Sequence, residues 1–186
     1  MTPLEFETSE ALSDWLALHG RTETEAWVRM FRKGTRRTSV DWQGIVAACL
    51  AHGWIDGLKR PYDEVSSLQR ITPRRPKGTW SKKNRDTAER LIAEGRMTPE
   101  GLAHVEAAKA DGRWDAAYAG QADMVIPEDF LAALEDRPVA KAFYGTLNRA
   151  NLFAIYHRLT TAKKPATRAA RMQRILDQLD REETFH

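Results

Sequence analysis

The sequence predicts an α+β fold, with a small antiparallel sheet and helices in the N-terminal part and a helical C-terminal module. Three observations lead to this prediction. Runs rich in β-branched and aromatic residues, typical of strands, occur in the N-terminal part. Apolar residues recur there at helical spacing between these runs. Beyond a looser stretch at residues 120–123, only helical patterns follow.

Three strands are predicted in the N-terminal part, each bounded by glycine, proline or charged residues. They cover residues 25–33, 54–60 and 65–72, and a turn at residues 61–64 joins the last two. Strands joined by a short turn pair in an antiparallel manner. We therefore expect an antiparallel sheet of about three strands.

Four helices are predicted around this sheet, because apolar residues recur at i, i+3 and i+4. They cover residues 9–19, 38–53, 81–95 and 98–111. Thr38 or Ser39 is the expected N-cap of the second helix, and Ser81 and Thr98 are those of the third and fourth.

The C-terminal part is predicted to be wholly helical. Its helices cover residues 128–135, 139–147, 150–161 and 166–181, and three of them directly follow a proline, which favours the first turn of a helix. The looser stretch at residues 120–123 places the boundary between a domain of residues 1–120 and a second domain of residues 124–186.

The composition excludes several classes of protein. No apolar run approaches the ~20 residues of a membrane span, and the acidic N-terminus lacks the features of a signal peptide. A single cysteine, Cys49, excludes an intrachain disulfide framework, and its place on an apolar helix face predicts a core residue. We therefore expect a cytoplasmic protein without membrane contact.

The net charge of +3 conceals a strong asymmetry along the chain. Residues 59–90 hold ten Lys/Arg against four Asp/Glu, whereas residues 94–136 hold ten acids against three bases. The basic stretch favours a binding face for an anionic partner. The alternative is that the acidic stretch docks against basic neighbours within the molecule. Both interpretations remain open.

The densest group of potential ligand-binding residues lies between Gly53 and Asn84. Tryptophans, arginines, a lone acid and an Asn-bearing helix start occur together there, and large aromatics beside hydrogen-bonding groups are typical of binding sites. The predicted ligand-binding residues are Trp54, Asp56, Arg70, Arg74, Arg75, Trp80, Ser81 and Asn84.

Free N–H groups at the helix start, beside several cations, predict a site for an anionic small molecule. Structural alternatives remain for its members. Ser81 and Asn84 form a capping pair in one interpretation and a ligand contact in the other. Asp56 is either the ion-pair partner of Arg70 on the neighbouring strand or a general base with a raised pKa.

No established catalytic or metal-binding signature is present. The five histidines are scattered, and the chain has neither a Gly-x-Ser-x-Gly elbow nor a phosphate-binding glycine loop. We therefore expect no metal and no cofactor, and catalytic residues remain unassigned.

The chain resembles the YdeI/OmpD-associated family of bacterial proteins. The matching motifs are Gly-Trp-Ile-Asp-Gly at 53–57, Thr-Pro-Arg-Arg at 72–75, Trp-Ser-x-x-Asn at 80–84, the segment 108–114, and Ala162-Lys163 with Thr167, Arg168 and Arg171. This resemblance, from Trp15 to about Leu179, implies a C-terminal helical module of the family type. It also implies a link to bacteriocin protection or envelope stress, without a defined biochemical activity.

Three functions follow as hypotheses. The first is a stress-protection protein with an anionic small-ligand site in its N-terminal part. The second is a nucleic-acid-binding protein that uses residues 59–90 and the last helix as one basic surface, and the acidic stretch counts against it. The third is a protein-interaction module without catalysis, whose partner the sequence does not identify.

Overall fold

The structure, a computed structural model, describes residues 2–185. The chain divides into two compact units, Met1–Ala117 and Tyr118–His186. The predicted domains of residues 1–120 and 124–186 stay a prediction, because compactness alone does not show that either part folds by itself.

The first unit is built on a four-stranded sheet in the order β1-β2-β4-β3. Its strands are β1 Leu4–Glu5, β2 Ala26–Phe31, β3 Trp54–Asp63 and β4 Ser66–Pro73. β1 runs parallel to β2, and the other neighbours are antiparallel. The α+β class is confirmed. The sheet is mixed rather than purely antiparallel, because the two residues of β1 are too few to give an alternating pattern in the sequence.

Four helices accompany the sheet: α1 Ser9–His19, α2 Trp42–Ala51, α3 Lys82–Ala93 and α4 Pro99–Ala110. The predicted start of α2 at Thr38 or Ser39 is wrong. The Asp41 carboxylate caps this helix by accepting the N–H of Gly44 at 2.7 Å. The Ser39 hydroxyl instead accepts the N–H of Phe31 at 2.9 Å, which removes it from the capping role.

Helix α2 lies at the centre of the first unit and is buried on two sides. Ile45 and Cys49 pack in a core with α1 and the sheet. Val46 and Leu50 pack in a second core with α3 and α4. Trp42, at the start of this helix, is 37% exposed. Cys49 is confirmed as a core residue, and burial raises the pKa of its thiol.

Helix α4 approaches the end of α2 closely. The hydroxyl of Thr98, the N-cap of α4, donates to the carbonyl oxygen of Ala51 at 2.7 Å. A Cβ atom at Gly101 would lie only 2.3 Å from that same oxygen. Glycine is therefore required at this position for the two helices to pack.

Within residues 118–185 the structure contains four helices: α5 Glu128–Glu135, α6 Pro138–Tyr144, α7 Arg149–Thr160 and α8 Pro165–Asp180. This confirms the predicted helical character of the C-terminal part. One apolar core joins all four helices, and its fully buried members include Phe130, Ala140, Ile155, Leu159 and Leu179. None of the helices within residues 2–185 is long and apolar enough to cross a membrane.

Candidate functional site

The start of α3 carries the residues that most strongly indicated a site in the sequence. Ser81 is its N-cap, and the Ser81 hydroxyl accepts the backbone N–H of Asn84 at 3.1 Å. The capping interpretation of this pair is therefore confirmed for the hydroxyl and the backbone. The Asn84 side chain is half-buried next to this helix start.

Trp80, directly before the cap, lies in the core between α2, α3 and α4. Its ring packs edge-on against Trp114 with a centroid distance of 4.9 Å. The Arg74 guanidinium lies 3.8 Å from the centroid of the Trp80 ring, and it donates to the Thr79 carbonyl oxygen at 3.1 Å. The buried Nε1 of Trp80 has no hydrogen-bond partner among the described residues.

A second buried cation accompanies Arg74. Arg113 is 6% exposed, and its guanidinium donates to the Asp111 carboxylate at 2.7 Å and to the Gly78 carbonyl oxygen at 2.8 Å. Burial, followed by the charges of Arg74 and Arg113, lowers the pKa of His104. Arg113 and His104 were missed as members of this cationic region. The Asp-Gly-Arg-Trp motif at 111–114 was the available signal for the arginine.

Four exposed cations surround the same helix start: Arg75, Lys77, Lys82 and Lys83. The first turn of α3 contains no acid, and none of the four belongs to an ion pair in the described part of the chain. The Lys83 ammonium lies 4.1 Å from the centroid of the Trp42 ring. The helix start is therefore rich in positive charge that carboxylates do not neutralise.

The predicted ion pair between Asp56 and Arg70 is wrong. Asp56 is opposite Ile71 in the sheet, so the side chain of Arg70, one position earlier on β4, points to the other face. Arg70 instead donates to Glu25 at 2.6 Å, and this hydrogen bond is the main reason for the lowered pKa of Glu25. The Asp56 carboxylate accepts the indole N–H of Trp42 at 3.0 Å.

Trp54 lies in a different core from Trp80. It packs edge-on against Trp15 with a centroid distance of 6.4 Å, and its Nε1 donates to the Gly20 carbonyl oxygen at 3.1 Å. The structure thus brings together Arg74 with Trp80 and Ser81 with Asn84. It gives Trp54, Asp56 and Arg70 separate partners, while Arg75 is exposed beside the helix start.

A cavity of about 260 Å³ in the first unit contains none of the eight predicted residues in its lining. It is lined in part by His52, Arg21 and Glu100. His52 Nε2 lies 2.7 Å from the Ser13 hydroxyl, and burial lowers the pKa of this imidazole. The sequence did not reveal this pair, because 39 positions separate its members. Among the described residues, no group of His, Cys, Asp or Glu is arranged to hold a metal ion.

The fold and this site define an α+β protein with a basic helix start in its first unit and a helical second unit. Residues 4–104 match the family model described as Domain of unknown function (DUF8412), and this match covers more than half of the chain. The chain therefore belongs to that family.

Residues 123–182 match a second family model, described as Bacteriocin-protection, YdeI or OmpD-Associated. This confirms the resemblance predicted from the sequence, but over the C-terminal part alone. The resemblance was expected to begin at Trp15, whereas the N-terminal part matches the other model. No curated protein and no solved structure matches the chain.

Proposed function

We propose that this protein acts in the cytoplasm in bacteriocin protection or envelope stress, and that it binds a small anionic molecule at the start of α3. The description of the family matched by residues 123–182 supports the protective role. A single cysteine that is fully buried as a free thiol supports a reducing compartment. The ligand site is a separate proposal that depends on the charges around α3.

One observation carries the ligand site: four exposed cations and the buried Arg74 surround a helix N-terminus whose first turn has no acid. Lysines in a first turn, such as Lys82 and Lys83, oppose the helix dipole and destabilise the free helix. A bound anion would reverse the sign of this effect, because it interacts favourably with both the dipole and the cations.

The buried Trp80 supports the same location. Its indole N–H has no acceptor among the described residues, and a buried donor of this kind normally has one. In the proposed site, Arg75 and Lys82 attract the anion, and Trp80, Ser81 and Asn84 form the wall next to the helix start. Our proposal leaves Trp54, Asp56 and Arg70 outside the site, because each has a hydrogen-bond partner in another part of the first unit.

The test is calorimetric titration of the full chain with inorganic phosphate, pyrophosphate, citrate and a short oligonucleotide. Arg75→Gln and Lys82→Gln should each weaken binding about tenfold, the value of one charge-assisted hydrogen bond. Lys59→Gln is the matched control, because Lys59 is also an exposed cation but lies on β3. Equal losses in all three variants would show non-specific attraction and contradict the site.

The protective role has its own test in the native host. A strain lacking the gene should become more sensitive to bacteriocin or to envelope-damaging agents, and the wild-type gene should restore resistance. If a gene that carries both Arg75→Gln and Lys82→Gln does not restore resistance, this result connects the ligand site to protection. Unchanged sensitivity of the deletion strain would contradict the protective role.

A further inference from the structure

A cavity of about 400 Å³ lies in the second unit, with walls from α7, α8 and the C-terminal segment. Its charged and apolar lining includes His157, Arg158, Arg171, Arg174, Ile175 and Phe185. No aspartate or glutamate lines it. Its volume falls in the range of small-ligand sites, about 300–1,000 Å³.

Three of the four described arginines of the helical unit outside the cavity pair with acids, and the fourth, Arg149, donates to two backbone carbonyl oxygens. Arg137 pairs with two aspartates, Arg168 with Asp129, and Arg181 with Glu183. By contrast, Arg158, Arg171 and Arg174 have no acidic partner among the residues that the structure describes. Three guanidinium groups around one cavity repel each other, so the free cavity favours an added negative charge.

Arg158 has a buried donor without a hydrogen-bond acceptor among the described residues. Its Nη1 is shielded from solvent and lacks a hydrogen-bond partner among residues 2–185. Its guanidinium lies 4.7 Å from the centroid of the Phe185 ring, which restricts the orientation of the group. Buried charged donors are normally satisfied, so this geometry indicates an acceptor supplied from outside the chain.

Arg171 and Arg174 lie three positions apart on α8 and therefore on the same side of the helix. Arg171 Nη1 donates to the Arg158 carbonyl oxygen at 2.8 Å, which holds the side chain next to α7. Its remaining N–H groups are available, since a guanidinium carries five donors. Arg174 is exposed.

His157 reports the electrostatic state of the cavity. Burial, followed by the charges of Arg171 and Arg158, lowers the pKa of its imidazole. Its ring packs edge-on against Tyr118 with a centroid distance of 4.7 Å, so it has a defined orientation. At neutral pH the uncharged ring offers one hydrogen-bond donor or acceptor to a neighbouring group.

We propose that this cavity binds a small molecule that carries a phosphate-type dianion. The dianion contacts Arg158, Arg171 and Arg174, whose planar groups match phosphate oxygens in pairs. An apolar part of the molecule packs against Phe185 and Ile175. This site lies in the other unit from the α3 site and does not depend on it.

Phenyl phosphate is the probe, and phenol is the matched neutral compound, in calorimetric titrations of the full chain. Wild-type protein should bind phenyl phosphate and not phenol. Arg174→Gln should weaken this binding about tenfold, and it should leave Tm unchanged or raise it, because one of three repelling charges is removed. In NMR spectra, the dianion should raise the pKa of His157.

Two control variants each remove a positive charge outside this cavity. Arg181→Gln removes the same charge from the end of α8, where Arg181 pairs with Glu183 outside the cavity, and should bind normally. Lys82→Gln should also bind normally, because it alters only the α3 site. The proposal is overturned if phenyl phosphate does not bind, if Arg181→Gln loses as much affinity as Arg174→Gln, or if Lys82→Gln abolishes binding while Arg174→Gln preserves it.

Discussion

The two units differ in how deeply they bury their arginines. In the first unit, Arg74 and Arg113 are buried, and aromatic rings and backbone carbonyl groups contribute to holding them. In the second unit, Arg137 and Arg168 lie nearer the surface and pair with carboxylates. Positive charge along a sequence therefore indicates a binding site where carboxylates of the fold do not neutralise it, as at the exposed cations around α3 and at the arginines of the cavity in the second unit.

The largest effect on stability should come from replacing Trp80, whose ring lies against the guanidinium of Arg74. Trp80→Ala should destabilise the protein by about 3–5 kcal/mol, because it empties a fully buried site of the second core. Trp42→Ala is the control, since this tryptophan is 37% exposed and its loss should cost about 1 kcal/mol. Urea denaturation measures both values. Equal destabilisation by the two substitutions would contradict the greater contribution of the buried Trp80 to this core.

A smaller effect on stability should distinguish Arg74 from its neighbour Arg75. Arg74→Ala should destabilise by about 2 kcal/mol, because a desolvated cation–π contact is lost. Arg75→Ala should change stability by less than about 0.5 kcal/mol, because the side chain is exposed. Thermal and urea unfolding of both variants provide the measurement. A stable Arg74→Ala variant would mean that this arginine is reserved for a ligand rather than for the fold.

The smallest effect should appear in the ion pairs of the second unit. The hydrogen bond from Arg168 lowers the pKa of Asp129 in the folded state. Because the pKa of Asp129 is lower in the folded state than in the unfolded state, the pair stabilises the folded protein at pH values above the ordinary carboxyl pKa of about 3.9. This contribution disappears as the pH falls through the lower pKa of the folded state.

Arg168→Gln removes this contribution. Its Tm should fall less than that of the wild type when the pH is lowered from neutral to about 3, and the difference should be small because the pair is partly exposed. Scanning calorimetry at several pH values measures it. Parallel Tm curves for the two proteins would show that this pair contributes nothing to acid sensitivity.

Local sequence signals predicted most of the helices, because their determinants lie within a few residues. Ser81 and Thr98 cap α3 and α4 as expected, and the helix at Glu128–Glu135 follows Pro127 as predicted. The start of α2 was missed because Thr38, Ser39 and Asp41 are all residue types that cap helices well. In the structure Asp41 is the N-cap, and the Ser39 hydroxyl accepts the N–H of Phe31 instead.

The members of the site were harder to predict, because strand register decides which residues share a face. A shift of one position separates Arg70 from Asp56 and brings it to Glu25, which the sequence places 45 positions away. Trp54 and Trp80 looked alike in the sequence but lie in different cores, since α2 separates the sheet from α3 and α4.

The sequence by itself determined the α+β class, most of the helices, the charge asymmetry and the resemblance of the C-terminal part, because these depend on local spacing and composition. Only the tertiary structure decided which charges are satisfied. The guanidinium of Arg113 reaches the carbonyl oxygen of Gly78, 35 positions away, and that of Arg158 lies against the ring of Phe185, beyond the end of α8. The energy of a charge depends on what surrounds it in space, and local sequence does not specify those surroundings.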